Sequence, residues 1–492
     1  MSGTTSGVIL ALDMGTSSTR ALLYDVTTCR AVGEGYSIKH EASTTADGGA
    51  TLNADALVEE AVLCAARVSQ QANTPILGVA FCSFWHSFLG VDSTGHARTP
   101  VLLWSDRRSA DQVQELKEIL GDLYLQRTGC PLHTSFVPGR LRWLATDDPT
   151  AFTESLRFLS PGEYIYLRLF GAEKVTCSVS MASASGLLHQ ASGEWDSETL
   201  HTLGVTSERL SPIADTPVTG LLSPYRERLP QLAEVPWFPA VGDGACSNVG
   251  CGATTPDRLA LMIGTSGAMR VMTPGTTPPE VPSGLWRYQP GAGRFMLGGA
   301  LSNGGIVWAW LKKTIHLPDA SDDVIEAEVA SLAPDSHGLT VLPFIAGERA
   351  PLWRDDLRAT IHGLSAATRP IEIARAHLEA VALRFVRLRS ALRSVAPYGE
   401  IIGTGAGLLA SPTWAHIITD ALGEPMHLSS EEQASSRGAA LLAREALGFG
   451  SVESAPTPPI VTTLHPNPTH TAIYQKAALR QELLLQRIGD WE

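Results

Sequence analysis

Charge is scarce in this chain, and positive charge is scarcer. Charged residues make up 18% of the 492 positions, and 37 Lys and Arg face 50 Asp and Glu, a net charge of −13. That deficit argues against a non-specific binder of nucleic acid or of an anionic membrane. An anionic small molecule stays open, because it needs only a local group of donors. Cysteine is also sparse. The seven, Cys29, Cys64, Cys82, Cys130, Cys177, Cys246 and Cys251, are scattered, odd in number and without a Cys-x-x-Cys pair. A disulfide framework or zinc site is not expected, and a reducing cytoplasm is. No run of about 18 apolar residues occurs, so no transmembrane helix is expected. Met1 to Gly7 carry neither a basic n-region nor an apolar h-region. Several reaction motifs are missing too. There is no Gly-Lys dipeptide and hence no Walker A loop, no His-Glu-x-x-His, no Gly-x-Ser-x-Gly elbow and no zinc-spaced Cys/His set. Any phosphoryl transfer needs a cradle other than the P-loop.

What is present is a globular composition, 44% apolar, long enough for about three domains or one large two-domain enzyme. Val8 to Leu12 and Arg20 to Tyr24 are apolar runs around a turn, Asp13-Met14-Gly15-Thr16-Ser17-Ser18-Thr19. The pattern returns downstream: Leu259 to Ile263, then Gly264-Thr265-Ser266-Gly267, then Ala268 to Met272. This weak repeat predicts two halves of related fold, the second starting near residue 255. Helices are expected over 55–72, 369–395, 412–422 and 436–447, with an extended stretch over 455–469 before a last helix at about 471–487. Strands alternating with helices make the class α/β.

Five constellations could carry chemistry. A Gly- and hydroxyl-rich turn between strands can aim N–H groups at phosphate oxygens, and Asp13 beside it can hold Mg²⁺ directly or through water. A polar hairpin turn is the bland alternative, and the second Gly-Thr-Ser turn weighs against it. Gly403-Thr404-Gly405-Ala406-Gly407 follows a strand-like run and permits close backbone approach. Leu408 breaks the dinucleotide fingerprint, and the helix capped by Ser411 could offer its N-terminus to a nucleotide. Asp243, in Gly242-Asp243-Gly244, stands at a helix start. It either caps that helix or accepts a hydroxyl proton during attack on phosphorus. Phe84-Trp85-His86-Ser87 and Trp104-Ser105-Asp106-Arg107-Arg108 combine rings and polar groups suited to a polyhydroxylated ligand, or form core and surface pairs. Gly347-Glu348-Arg349 reads as a turn with a structural ion pair.

Together these motifs resemble the FGGY family of carbohydrate kinases over about residues 7–450. Asp13-x-Gly15-Thr16-x-x-x-Arg20 is similar to its first phosphate motif, and Gly264-Thr265-Ser266-Gly267 to its second. Trp104-x-Asp106-x-Arg108 is similar to the sugar-side motif, Asp243 to the catalytic aspartate and Gly403-x-Gly405-Ala406 to the adenosine motif. Within the family the chain resembles the gluconate kinases. The residues are Trp85-His86-Ser87, Arg140-Leu-Arg142-Trp143-Leu144, Gly299-x-x-Ser302-Asn303-Gly304-Gly305 and Ala346-Gly347-Glu348-Arg349-Ala350-Pro351. It departs from the family at Phe84-Trp85, bulkier than usual before the His, and around Gly242-Asp243-Gly244.

The resemblance implies an α/β, two-domain actin/hexokinase-like (ribonuclease H-like) ATPase fold with a cleft between the domains. The expected divisions are 7–254 for the sugar, 255–450 for the nucleotide, and 451–492 as an extended segment and helix. It implies ATP and Mg²⁺ as cofactors and a sugar or sugar acid as substrate, D-gluconate foremost. Asp243 would be the base and Asp13 the Mg²⁺ residue. Trp85, His86, Trp104, Asp106, Arg108 and Arg349 would meet the sugar, Arg108 and Arg349 being rival partners for a carboxylate. Thr16, Ser17, Ser18, Arg20, Gly264, Thr265, Ser266, Gly304, Gly403, Gly405, Ala406 and Gly407 would meet the nucleotide. No nucleic-acid or membrane partner is expected, and a homodimer is possible. The alternatives are a kinase of a ketopentose or polyol, and, in a different class, an actin-like nucleotide-switched binding protein.

Overall fold

The computed structural model describes residues 6–317, 321–395 and 399–489. Elements that position the cleft are numbered in chain order. The first half holds β1 (Val8–Met14), β2 (Ser18–Asp25), β3 (Ala31–Lys39), α1 (Ala54–Ser69), β4 (Ile76–Ser83), β5 (Val241–Gly242) and α2 (Asp243–Gly250). The second half begins with β6 (Arg258–Ile263), β7 (Gly267–Pro274), β8 (Trp286–Gly291), β9 (Arg294–Leu301) and α3 (Gly305–Thr314). It continues through α4 (Pro370–Arg393), β10 (Glu400–Thr404), α5 (Pro412–Leu422), β11 (Met426–Ser429), α6 (Ala434–Ala446), β12 (Ile460–Leu464) and α7 (Pro468–Gly489).

The strands form two main sheets, ordered β5-β4-β1-β2-β3 and β8-β9-β7-β6-β10-β11-β12. In the first, β1, β2 and β3 run antiparallel, and β4 and β5 lie parallel to β1. In the second, β6, β7 and β9 run antiparallel, and β10 and β11 lie parallel to β6. Each sheet therefore contains the same five-strand unit, and each Gly-Thr-Ser turn joins its first two strands. β1 is buried at all seven positions, as its unbroken apolar run requires for a strand covered on both faces.

Most predicted boundaries shift by a residue or a few. The 55–72 helix is capped earlier, by the Asn53 side chain on the Ala56 N–H, and ends at Ser69. The predicted 455–469 extension contains β12, which pairs with β11, and the last helix already starts at Pro468. The 412–422 helix has the predicted Ser411 cap and left-handed Gly423. Its N-terminus is not open to a nucleotide: the Glu326 carboxylate takes the Ser411 hydroxyl and the Thr413 N–H. All seven cysteines are buried free thiols, and no helix of the described residues is long and apolar enough to cross a membrane.

Candidate active site

Parallel strands put their carboxyl ends side by side, and an open α/β sheet binds ligands just beyond those ends. Asp13 pairs in register with Cys82 on β4, which pairs with Val241 on β5. The residues that follow on these strands are therefore neighbours at one edge. Asp13 is 1% exposed. Its Oδ2 accepts from Arg20 Nε at 3.0 Å, Ser435 Oγ at 2.5 Å and Ser436 Oγ at 3.0 Å. Arg20 also reaches Gln433. The turn closes through a Gly15 N–H bond to Ser18 O, with Ser17 exposed and Thr16 and Ser18 half-buried.

In the second sheet, Gly264 N–H bonds to Ser266 O, and Gly305 N–H and Ile306 N–H bond back to Gly264 O and Thr265 O. The start of α3 is thus docked beneath the turn. A Cβ on Gly304 would come 2.5 Å from the Ser266 carbonyl. The loop after β10 lies on the same strand end: Gly405 has φ +95°, and its Cβ would be 2.3 Å from Ile263 O. Gly407 faces that carbonyl as well, while Ala406 opens a four-residue helix. The Thr404 hydroxyl is buried without a partner. Gly264, Thr265, Ser266, Gly304, Gly405, Ala406 and Gly407 therefore form one connected cradle, and Gly403 leads into it from inside β10, where a Cβ would meet Leu408 and Leu428. Among the described residues no hydrogen bond or ion pair joins this cradle to Gly15–Ser18.

Asp243 opens α2 directly after β5. Its Oδ1 accepts the Gly244 N–H at 2.8 Å. Burial, the largest influence, pushes its carboxyl above the usual range. Arg270 and the N–H groups of Gly244 and Trp85 oppose the rise, and Asp13 adds to it. Trp85 is a wall rather than an open ligand. It is 5% exposed, donates Nε1–H to Ser180 O, and lies against Gly242 and Gly244. His86, at φ +64°, donates Nδ1–H to Ala184 O, and its ring meets Phe136 and Tyr288. Burial pushes its pKa down to about 3, so the ring is neutral, with Nε2 as the acceptor.

The sugar-side motif divides. Trp104 is half-buried and carries the Arg349 guanidinium on its face, 4.6 Å from the ring centre. Asp106 is fully buried; its carboxylate accepts from Ala50 N–H and from the backbone and guanidinium of Arg108. Arg108 also lies 4.0 Å over the Trp143 ring. Glu348 does not pair with its neighbour Arg349, as the sequence suggested. Both its oxygens take Arg384, at 2.7 and 2.9 Å, and both residues are 2% exposed. Among the described residues Arg349 is left with one bond, Nη2–H to Leu301 O, while its buried Nε–H has no partner.

Residues 8–250 match the N-terminal domain of the FGGY family of carbohydrate kinases, and residues 259–447 its C-terminal domain. The chain belongs to the FGGY family. It is a carbohydrate kinase, a phosphotransferase with the two-domain actin/hexokinase-like fold. A gluconokinase from Bacillus subtilis is 28% identical over 89% of this chain and 88% of its own. A gluconate kinase structure from Lactobacillus acidophilus superposes with a TM-score of 0.91 at 26% identity, covering 99% of this chain and 100% of that one. A xylulose kinase structure from the same organism gives 0.90 at 26%, covering 98% of each.

One residue of this kinase's cleft escaped sequence reading. Arg270 lies within β7, 8% exposed, with Nε and Nη1 unpartnered. A Cβ on Gly244 would sit 3.3 Å from its guanidinium carbon. The available signal was a lone charge inside the apolar run Ala268-Met269-Arg270-Val271-Met272, since arginine is seldom buried unpaired. The buried and unpartnered Ser83 hydroxyl, at the end of β4, was missed as well.

Proposed function

We propose that this kinase transfers the γ-phosphate of ATP to the terminal hydroxyl of a sugar acid, D-gluconate being the first candidate. The observation that carries the carboxylate is Arg349. Its buried Nε–H lacks a partner and its fork lies on Trp104, on the turn after the Asn303 contact to Gly347 O. A substrate carboxylate supplies the missing acceptors, and a guanidinium receives it two bonds at a time. Arg108 is already committed to Asp106 and Trp143. In this reading Arg108 and Asp106 hold the Trp104 loop. The Bacillus subtilis gluconokinase supports the same substrate.

Asp243 is the proton acceptor. The hydroxyl oxygen forms a bond to the γ-phosphorus, the bond from that phosphorus to the bridging oxygen breaks, and ADP leaves with the electron pair. The hydroxyl proton goes to Asp243. Its upward shift from burial makes it a stronger base than an exposed carboxylate. His86 Nε2 accepts from a sugar hydroxyl, Trp104 covers a C–H face, and Trp85 backs Asp243. Thr16, Ser17, Ser18 and Gly264 to Ser266 orient phosphate oxygens; Gly403, Gly405, Ala406 and Gly407 border adenosine. Arg20 holds Asp13 in place. The donor set fits Mg²⁺: all three bonds to Asp13 fall on Oδ2, so Oδ1 would remain to help hold the ion, which prefers oxygen ligands and retains waters. When bound, the ion offsets charge on the phosphates.

The test is ADP release with Mg²⁺-ATP across aldonates, ketopentoses and polyols. Saturable turnover is expected with gluconate and little with polyols. Asp243→Asn should lower kcat by about 10²–10⁴-fold with Mg²⁺-ATP affinity retained. Arg349→Met should raise the KM for the acid. A ketose or polyol preference indifferent to Arg349 would replace the sugar-acid reading. ATP hydrolysis indifferent to every sugar would favour an actin-like switch.

A further inference from the structure

Arg270 has no assigned part in the reaction just described, and its surroundings do not account for a buried cation. It stands opposite Ala260 and Gly298 on the neighbouring strands, where the Trp286 indole lies over Gly298. Two of its nitrogens find no partner among the described residues. An arginine stripped of water in this way is costly unless a negative charge stands nearby. The carboxylate it acts on is Asp243. The guanidinium carbon would lie 3.3 Å from a Cβ on Gly244, the next residue along α2. Each charge is felt by the other, although among the described residues the two side chains form no ion pair. Burial lowers the Arg270 pKa and Asp243 raises it; for Asp243 the same pair acts in the opposite sense.

We propose that Arg270 is a positioning residue for phosphoryl transfer, delivered by the second sheet to hold the Asp243 carboxylate as a proton acceptor. The base is then assembled from both halves: the carboxylate from the first sheet's edge, its counter-charge from β7. The inference rests on Asp243 being the base, as proposed above. Other groups face the carboxylate. Asp13 stands on β1, two strands over from β5, and disfavours ionisation. Cys82 on β4 is a buried thiol held well above its usual range. Arg349 feels Asp243, but burial and the Tyr288 hydroxyl affect it more. The N–H groups of Gly244 and Trp85 favour the ionised form. Among the side chains, Arg270 is the principal influence toward ionisation.

The deciding measurement is the titration of Asp243 itself. In protein labelled with ¹³C-carboxyl aspartate, its resonance is the one lost in Asp243→Asn. Arg270→Gln should move that titration upward by about 1–3 pH units, the effect of an opposite charge at close range. The acid limb of kcat/KM should move with it, so the deficit of the variant shrinks as pH rises. An unmoved Asp243 titration would overturn the inference, whether or not any sugar is phosphorylated. A moved titration in an enzyme whose activity ignores Asp243→Asn would support the charge coupling and refute the base assignment above. Should Arg270→Gln fail to fold, Arg270→Met carries the test: the same upward shift is expected, and an unmoved titration would overturn the inference. Arg270→Lys, which keeps the charge, should return both the titration and kcat toward wild type.

Discussion

At the scale of single residues, Glu348 and Arg349 are adjacent and opposite in fate. Glu348 points inward to Arg384, 36 positions away, and Arg349 lies toward the cleft on Trp104. Breaking a buried pair from one side leaves a charge with no water and no partner, at a cost of about 3–5 kcal/mol. Glu348→Gln should therefore lower stability by about that amount in a urea titration and raise the KM for the acid substrate, because the turn bearing Arg349 loses its anchor. Full stability would assign the pair no net contribution. Residues of this kind show what a sequence can reveal. Asp13, Asp243 and the Gly-Thr-Ser turns were legible because turn chemistry is local. The partner of Glu348 was not, because nothing near it in the chain announces a long-range pair. Asp106 looked like a ligand by type, and only its four donors reveal a carboxylate already satisfied.

At the scale of elements, two departures from the family pattern become one feature. The bulky Trp85 after β4 and the two glycines around Asp243 occupy one space. A Cβ on Gly242 would fall 1.8 Å from the indole, and one on Gly244 would fall 2.5 Å from it. The junction of β5 and α2 can carry this indole only if both positions lack side chains. Gly242→Ala should destabilise the protein by about 1–3 kcal/mol, the usual cost of overpacking, and reduce kcat by displacing Asp243. Combining it with Trp85→Leu should recover part of both, giving a coupling of about 0.5–3 kcal/mol in a double-mutant cycle. Additive losses would separate the two features again. Helices were the more legible elements: periodicity and the Ser411–Gly423 caps located 412–422 to the residue. β12 was hidden in a Pro- and Thr-rich stretch, where edge pairing to β11 rather than an apolar pattern makes the strand.

At the scale of the whole molecule, the repeated five-strand unit places similar turns on two sheets, and the chain stitches them together. α6, late in the second half, packs on β1 and β4 of the first and crosses α2, where a Cβ on Gly438 would lie 1.8 Å from Cys246 O. Arg287 on β8 is bolted to Gln190 and to Gln126 O of the first half. These two seams join the halves, and in the proposed reading neither ligand is served by one half alone. Asp243, His86 and Trp104 come from the first half and Arg349 from the second; Thr16 faces the phosphates from one side and Gly264 and Gly405 from the other. The first ligand to bind therefore meets part of the ordering cost for the second, which is positive coupling by linkage. A non-hydrolysable ATP analogue and gluconate together should stabilise the protein by more than the sum of their separate effects, each of which follows RT ln(1 + [L]/Kd). The excess should be about 1–3 kcal/mol, equivalent to about 5–150-fold tighter binding of either ligand in the presence of the other. Calorimetric titration in both orders must return the same factor. Strict additivity would mean that the two ligands occupy independent sites, and that keeping water from the γ-phosphate falls to local side chains rather than to approach of the two halves.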